Sequence, residues 1–432
     1  PMKPYIVLGI FSVTYILIVI ELLPRTSVAL MGAAIMICAK FVSYNDAIFK
    51  FVDYNTIILL TGMMIIVGVI KETGIFEYTA VKLIRLSKAD PWRMLILFAL
   101  FTAFASAFLD NVTTVLLLVP ISISVTKILN VDPIPFLIAV ILSANIGGTA
   151  TLIGDPPNIL VSGAANFSFN DFIKNLTPIV VVVLIVSLIM LRLLFIKSLS
   201  RAEDYKAVIM NLNETGMIKD KGLLIKSLIV LGLTLIGFIT YNHLGIEEPS
   251  IVAITGAALL LIVTKKNPEK VLSHYIEWTS LFFFIGLFIL VGSLKDVGMI
   301  ERVSHLITAM TESPLLLAIL ILWVSAIASA FLGSVPATAL LITLVAHVKD
   351  CGCSLSLCLP DAQAAPIWWA MALGACLGGN FTIISAACNV VVSEMAKKAN
   401  INFSFGKYLR YGIPVTIMTL LLSTVYIYFR YF

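Results

Sequence analysis

Two carboxylates, Asp110 and Asp155, stand in segments apolar enough to lie in a lipid bilayer, and polar neighbours surround both. The first segment reads F-A-S-A-F-L-D-N-V-T-T from Phe104; after an apolar run comes S-A-N-I-G-G-T-A-T-L-I-G-D-P-P-N-I-L-V-S, ending at Ser162. An ionisable group at membrane depth costs on the order of 2.5–3.5 kcal/mol on insertion scales, so it marks a substrate or ion pathway by default. Glycine lets the backbone unwind and proline removes a donor. Gly147-Gly148 and Gly154-Asp155-Pro156-Pro157 therefore predict a helix interrupted in its middle, with freed carbonyls and an exposed half-helix N-terminus. Carbonyls, Thr hydroxyls, Asn amide oxygens and carboxylates are hard ligands that suit an alkali cation, while a half-helix N-terminus suits an anion.

Each feature has a plainer reading. Asp110 could be a structural acid paired to a backbone donor, and Asp155 a helix-capping acid at a turn. Glu21, Asp53, Glu277 and Glu394 fall at predicted span ends and are read as interfacial. Ser106, Ser143 and Ser329 are read as bonding back to carbonyls of their own helices. Neither hairpin tip nor either broken-helix centre holds a Lys or Arg. An anionic substrate is then expected to be neutralised by helix N-termini and co-bound cations.

The elements that must position these groups are membrane helices. Of 432 residues, 60% are hydrophobic and 12% charged, with a mean hydropathy of +1.05, whereas soluble domains carry about 25% charged residues. The net charge of +5 is modest and is read as membrane topology rather than nucleic-acid binding. The first span, Tyr5–Leu22, is not followed by a small-residue cleavage site, so no cleaved signal is expected. Cys38, Cys376 and Cys388 are read as small core residues. Cys351, Cys353 and Cys358 share one loop, where a soft-metal or metalloid thiolate site is conceivable. The dispersed histidines offer no zinc spacing.

The chain repeats itself. D53-Y-N-T-I-I-L-L-T-G returns as E277-W-T-S-L-F-F-F-I-G, A105-S-A-F-L-D-N-V as A328-S-A-F-L-G-S-V, and N145-I-G-G-T-A-T-L-I-G-D-P-P-N as C376-L-G-G-N-F-T-I-I-S-A-A-C-N. The fold class expected is an all-α polytopic membrane protein of two inverted-topology repeats. Each has five crossings, a re-entrant hairpin and a broken transmembrane helix. The parts are a scaffold of repeat 1 (1–91), a transport part (92–199, with hairpin 92–129 and broken helix 135–165) and a cytoplasmic linker (200–221). Repeat 2 follows with a scaffold (222–313) and a transport part (314–432, with hairpin 314–346 and broken helix 366–396). With both termini outside, most of the 29 Lys and Arg residues fall on the inner side, as the positive-inside rule requires. Gly74–Lys88 and about Met299–Met310 have the pattern of amphipathic helices lying in the interface.

At D-N-V-T-T, G-G-T-A-T-L-I-G-D-P-P-N and the second-half L-G-G-N-F-T, the chain resembles the ion transporter superfamily. It is most similar there to the branch of arsenical permeases, NhaD-type sodium/proton antiporters and the melanosomal P protein, and more distantly to divalent-anion/sodium symporters. The resemblance covers nearly the whole chain. It implies a homodimer in a lipid bilayer, most naturally a prokaryotic cytoplasmic membrane, whose transport parts move elevator-fashion against the scaffold. By position it implies a first, ion-binding site of Asp110, Asn111, Thr113, Gly148, Thr149, Thr151, Asp155 and Asn158, with Na+ at Asp110, Asn111 and Asn158. Ser334, Thr338, Asn380, Thr382 and Asn389 form a second site, and with Asn111, Thr113 and Asn158 they contact substrate. One departure stands out: Gly333-Ser334 occupies the place where P-protein-like members repeat Asp-Asn, which favours one dominant centre at Asp110.

The function expected is a secondary active transporter, not an enzyme, moving a small anion or oxyanion with Na+ or H+ as coupling ion and no cofactor. Alternatives are a Na+/H+ antiporter, an arsenite or antimonite efflux permease, and a passive ion channel. An intramembrane aspartyl protease is disfavoured because Leu152 stands where G-x-G-D requires its first glycine.

Overall fold

The computed structural model describes residues 3–20, 23–88, 90–196, 199, 216–299, 313–350 and 361–432. The Cys351/Cys353/Cys358 loop, Glu21, the second interfacial helix and most of the linker lie outside the described residues. Within them every regular element is helical, and eight helices are long and apolar enough to cross a membrane. Several start where the sequence supplies a capping acid. Asp53 accepts from the backbone N–H groups of Asn55 (3.0 Å) and Thr56 (3.2 Å), Asp90 from Arg93 N–H (2.7 Å), and Asp220 from Leu223 N–H (2.9 Å).

Lipid tails are as apolar as the helices, so hydrophobicity alone does not drive the helices together; small residues that allow close approach do. Helix Tyr54–Glu72 packs on Pro249–Thr264, and Arg25–Cys38 on Trp278–Asp296. The contacts are reciprocal: Gly62 closes on Ala253, and its repeat counterpart Gly286 closes on Ala29, the counterpart of Ala253. Such paired contacts are what a two-fold relation between halves produces.

In the remainder of each half, two helices joined by a short tip pack beside a helix broken in the middle. Pro91–Phe108 and Asn111–Ile128 pack against each other and against Ile134–Gly148; Pro314–Leu332 and Ser334–Asp350 do the same with Asp361–Gly378. The first helix of each pair lies almost backbone to backbone on the broken helix. A Cβ at Gly147 would sit 2.1 Å from the Ala103 carbonyl oxygen, and one at Gly378 would sit 2.6 Å from that of Ala326. Gly147→Ala is therefore expected to lower stability by about 1–3 kcal/mol, read as a fall in the melting midpoint of the purified protein. A wild-type midpoint would mean these helices can separate at no cost.

The amphipathic segment after Gly74 forms helix Ile75–Leu86, with Phe76, Ala80, Val81 and Ile84 buried. It packs against both helices of the first pair. The halves are also joined by polar groups: the Glu72 carboxylate accepts from both Lys266 Nζ and the Tyr275 hydroxyl. Cys38 proves exposed rather than a core residue. It sits at the last turn of Arg25–Cys38, on the face turned away from the packed helices.

Candidate functional site

The first broken helix stops at Gly148 and restarts at Pro156. Its freed carbonyls are gathered by one side chain: Asn158 Nδ2 donates to the oxygens of Gly148 (3.3 Å), Thr149 (3.2 Å) and Thr151 (2.8 Å). The hairpin tip, Leu109-Asp110, is fastened to this break. Thr151 Oγ1 donates to Ala107 O, and Ser106 Oγ donates to Ala144 O at 2.8 Å. With its amide turned so that nitrogen meets acceptors, Asn111 donates to Ala144 O and Gly154 O, each at 3.1 Å. In the other orientation of the amide the nitrogen donates instead to Asn145 Oδ1 at 3.5 Å and faces the Asp155 carboxyl.

The second half repeats this pattern position for position. Asn389 Nδ2 donates to Gly379 O (2.7 Å) and Thr382 O (2.9 Å), Thr382 Oγ1 to Ala330 O (2.9 Å), and Ser329 Oγ to Ala375 O (2.7 Å). At the tip the halves diverge. Asp110 has ordinary extended geometry (φ −62°, ψ 141°), whereas its counterpart Gly333 has φ +92° and ψ 151°, a region open essentially only to glycine. An aspartate in that place would be strained, so the missing second acid is built into the backbone.

The two breaks meet. Asn145 Nδ2 donates across the halves to Asn380 Oδ1 (2.9 Å) and Asn389 Oδ1 (3.0 Å); the Cys388 thiol points at Asn145 Oδ1 (3.1 Å) and the Cys376 thiol at Asn158 Oδ1 (3.4 Å). Asn145, Asn158, Asn380 and Asn389 are almost wholly buried, and Asn380 Nδ2 meets no acceptor among the described residues. The result is one continuous polar centre rather than two separate sites.

The expected site residues divide into groups. Asn111, Gly148, Thr151, Asn158, Ser334, Asn380, Thr382 and Asn389 come together at tips and breaks, Ser334 through its N–H to Ser385 O at 3.0 Å. Thr149 and Thr338 turn their hydroxyls back to their own helices, onto Asn145 O (2.8 Å) and Ser334 O (2.7 Å). Asp110 takes its plainer role, an acid paired to a backbone donor, whereas Asp155 does not take its own. Asp110 is the capping acid, accepting from Thr113 N–H at 2.9 Å, with Thr113 Oγ1 3.2 Å away. Asp155 occupies the N-cap position of Pro156–Ala165 but caps nothing; its buried carboxyl faces the Cys376 thiol and the Asn111 amide.

A cavity of about 350 Å³ reaches this centre, lined by Asp110, Pro156, Gly333, Ser334 and Ser385 on one side and by Arg25, Thr26, Glu277 and Ser280 on the other. Three sequence readings change here. Glu277 is not a bystander at the interface: it lines the cavity, accepting from Ser280 Oγ at 3.1 Å. Ser106 and Ser329 tie tip to break instead of bonding within their own helices. Neither a tip nor a break carries a cation, yet Arg25 arrives from another helix, with Nη2 donating to Ile384 O at 3.4 Å. Asn145 lies within the repeated motif outside the expected site; its distinguishing signal, an amide where the repeat has Cys376, is visible when the halves are aligned. Nothing in sequence spacing could have brought Arg25 here. Glu394 is exposed on helix Ala387–Lys398.

Residues 15–374 match the family model described as CitMHS, citrate transporter. The "46 kDa membrane protein" of Mycobacterium leprae is 40% identical over 99% of this chain and 98% of its own length. The "Uncharacterized transporter Rv2684" of Mycobacterium tuberculosis is 41% identical over 98% of this chain and 97% of its own. Mouse P protein is 32% identical over 97% of this chain, which spans 59% of that longer protein. Among solved structures, the YdaH transporter of Alcanivorax borkumensis matches 99% of this chain and 97% of its own at a TM-score of 0.57 and 15% identity, a likeness of fold. The chain is thus a membrane transporter belonging to the CitMHS citrate transporter family.

Proposed function

We propose that this protein is a secondary active transporter carrying a small oxyanion, a di- or tricarboxylate above all, coupled to Na+ or H+. The observation that carries the reading is the single buried centre where the two breaks meet, Asn145 donating to Asn380 and Asn389, with Asp110 and Asp155 beside it. Its amide and carbonyl oxygens and the two carboxylates are hard ligands that suit an alkali cation or a proton. The cavity next to it, with Arg25 and backbone donors of the second tip, suits the anion. The reciprocal helix contacts support an inverted pair of halves, in which tips and breaks sit midway across the lipid as re-entrant and discontinuous elements. An elevator-like movement of hairpins and broken helices against the scaffold, a homodimeric assembly and a cytoplasmic-membrane location with both termini outside complete the proposal.

The test is uptake of labelled citrate by proteoliposomes under imposed Na+ or pH gradients. Accumulation driven by one gradient supports coupling; uptake indifferent to both rejects it. A Na+/H+ antiporter is the second reading, favoured by Asp155, a buried carboxyl with no capping partner and so available to a proton. Proton efflux driven by Na+ without any anion would select it.

A further inference from the structure

The cavity is closed on one side by groups that belong to only one half of the repeat. Arg25 Nη2 donates to Ile384 O in the second break, and the buried Tyr15 hydroxyl donates to Pro336 O in the second tip at 3.2 Å. Both donors come from the first two helices of the chain. Their counterparts in the other half follow from matched packing. Gly32 closes on Thr14 as Gly256 closes on Thr234, and Arg25–Cys38 begins where Pro249–Thr264 begins in register. Tyr15 therefore corresponds to Leu235 and Arg25 to Pro249. Neither counterpart has a side-chain donor.

In a transporter built from inverted repeats, access alternates by rocking one part against the other around a fixed site, so the second state exchanges the conformations of the two halves. After that exchange, Leu235 and Pro249 stand where Tyr15 and Arg25 stood. The guanidinium thus belongs to the cavity in one access state and is absent from its mirror image. Arg25 lines the cavity together with the carboxylates Asp110 and Glu277 and the hydroxyls of Thr26 and Ser280. An anion entering there meets two like charges and one guanidinium, which already donates to Ile384 O and whose planar geometry matches a carboxylate.

We propose that Arg25 is the anion-selecting residue of this cavity and acts from one face of the membrane only, binding a carboxylate of the substrate in the state described here and losing it when access alternates. This inference rests on the transport reading above. The asymmetry gives the carrier different affinities on its two faces without changing the polar centre itself. Such one-sided contact gives different half-saturation concentrations on the two faces, while the direction of net flux is still set by the gradients.

The experiment is citrate uptake into proteoliposomes sorted for right-side-out and inside-out orientation, comparing wild type with Arg25→Gln and Arg25→Lys. Losing a charge-assisted contact of this kind raises KM by roughly 10- to 100-fold from the face served by the cavity, and leaves KM from the opposite face within about twofold. Arg25→Lys keeps the charge but not the fork and is expected to fall between. If Gln and wild type have equal KM on both faces, or if Gln raises KM equally on both, the one-sided assignment is wrong. A variant that does not reconstitute is replaced by Arg25→Lys, whose KM on the cavity face must still exceed that of wild type. Wild-type protein that moves no citrate on either face overturns the carboxylate reading, whereas wild-type transport with unaltered Arg25 variants overturns this inference alone.

Discussion

Asp110→Asn is expected to reduce gradient-driven uptake by at least about 100-fold while leaving the protein folded. The two halves of that expectation have separate causes. Asparagine caps a helix as well as aspartate does, and the capping bond from Thr113 N–H at 2.9 Å needs only the side-chain oxygen that both residues have. The helix Asn111–Ile128 therefore keeps its start. The charge does not survive the exchange. At 4 Å and an effective dielectric of 20, a carboxylate attracts a monovalent cation by roughly 4 kcal/mol, and the second tip offers no replacement because Gly333 stands in the equivalent place. Size-exclusion behaviour and melting midpoint should match wild type, and uptake under an imposed Na+ or pH gradient should vanish. Near-normal uptake would remove Asp110 from the coupling machinery and shift attention to Asp155 and Glu277.

The largest effect on stability belongs to Asn158→Ala. Three backbone carbonyls converge on one amide nitrogen, at 2.8, 3.2 and 3.3 Å, inside a site with no solvent exposure. Each buried acceptor left without a donor costs about 1–3 kcal/mol, so the variant should lose on the order of 3 kcal/mol or more and fail to hold the break in shape. Asn158→Asp is the decisive companion. It fills the same volume, but it points a carboxylate oxygen at carbonyl oxygens, so it should be no better than alanine if donation is what matters and close to wild type if only packing is. Asn389→Ala, which removes donors from two carbonyls in the second break, should show a smaller loss of the same kind. Wild-type melting for both Asn158 variants would show that the carbonyls are satisfied some other way.

The sidedness proposed above depends on a residue that none of the polar motifs contains. Arg25 follows a proline at the start of an apolar helix, where a topology argument accounts for it completely. Glu277 is similar: its place at a span end reads as interfacial until Trp278–Asp296 is seen to begin beside the first hairpin tip and to line the same cavity. Both belong to the scaffold by sequence and to the site by contact.

The sequence by itself determined the membrane class, the repeat, the interruptions at Gly148 and Gly379, and the side chains that had to gather there. Those features are local or periodic: glycine and proline act on their own backbone, and a repeat is visible wherever two halves have kept the same spacing. Only the tertiary structure decided that the two breaks fuse through Asn145, that Asp110 caps while Asp155 stays uncapped, and that Arg25 and Glu277 complete the cavity. Each of these depends on which helices lie side by side, and between apolar helices in lipid that choice is made by small-residue packing and by buried hydrogen bonds across hundreds of residues. A hydropathy pattern records that a helix is buried, not what it is buried against.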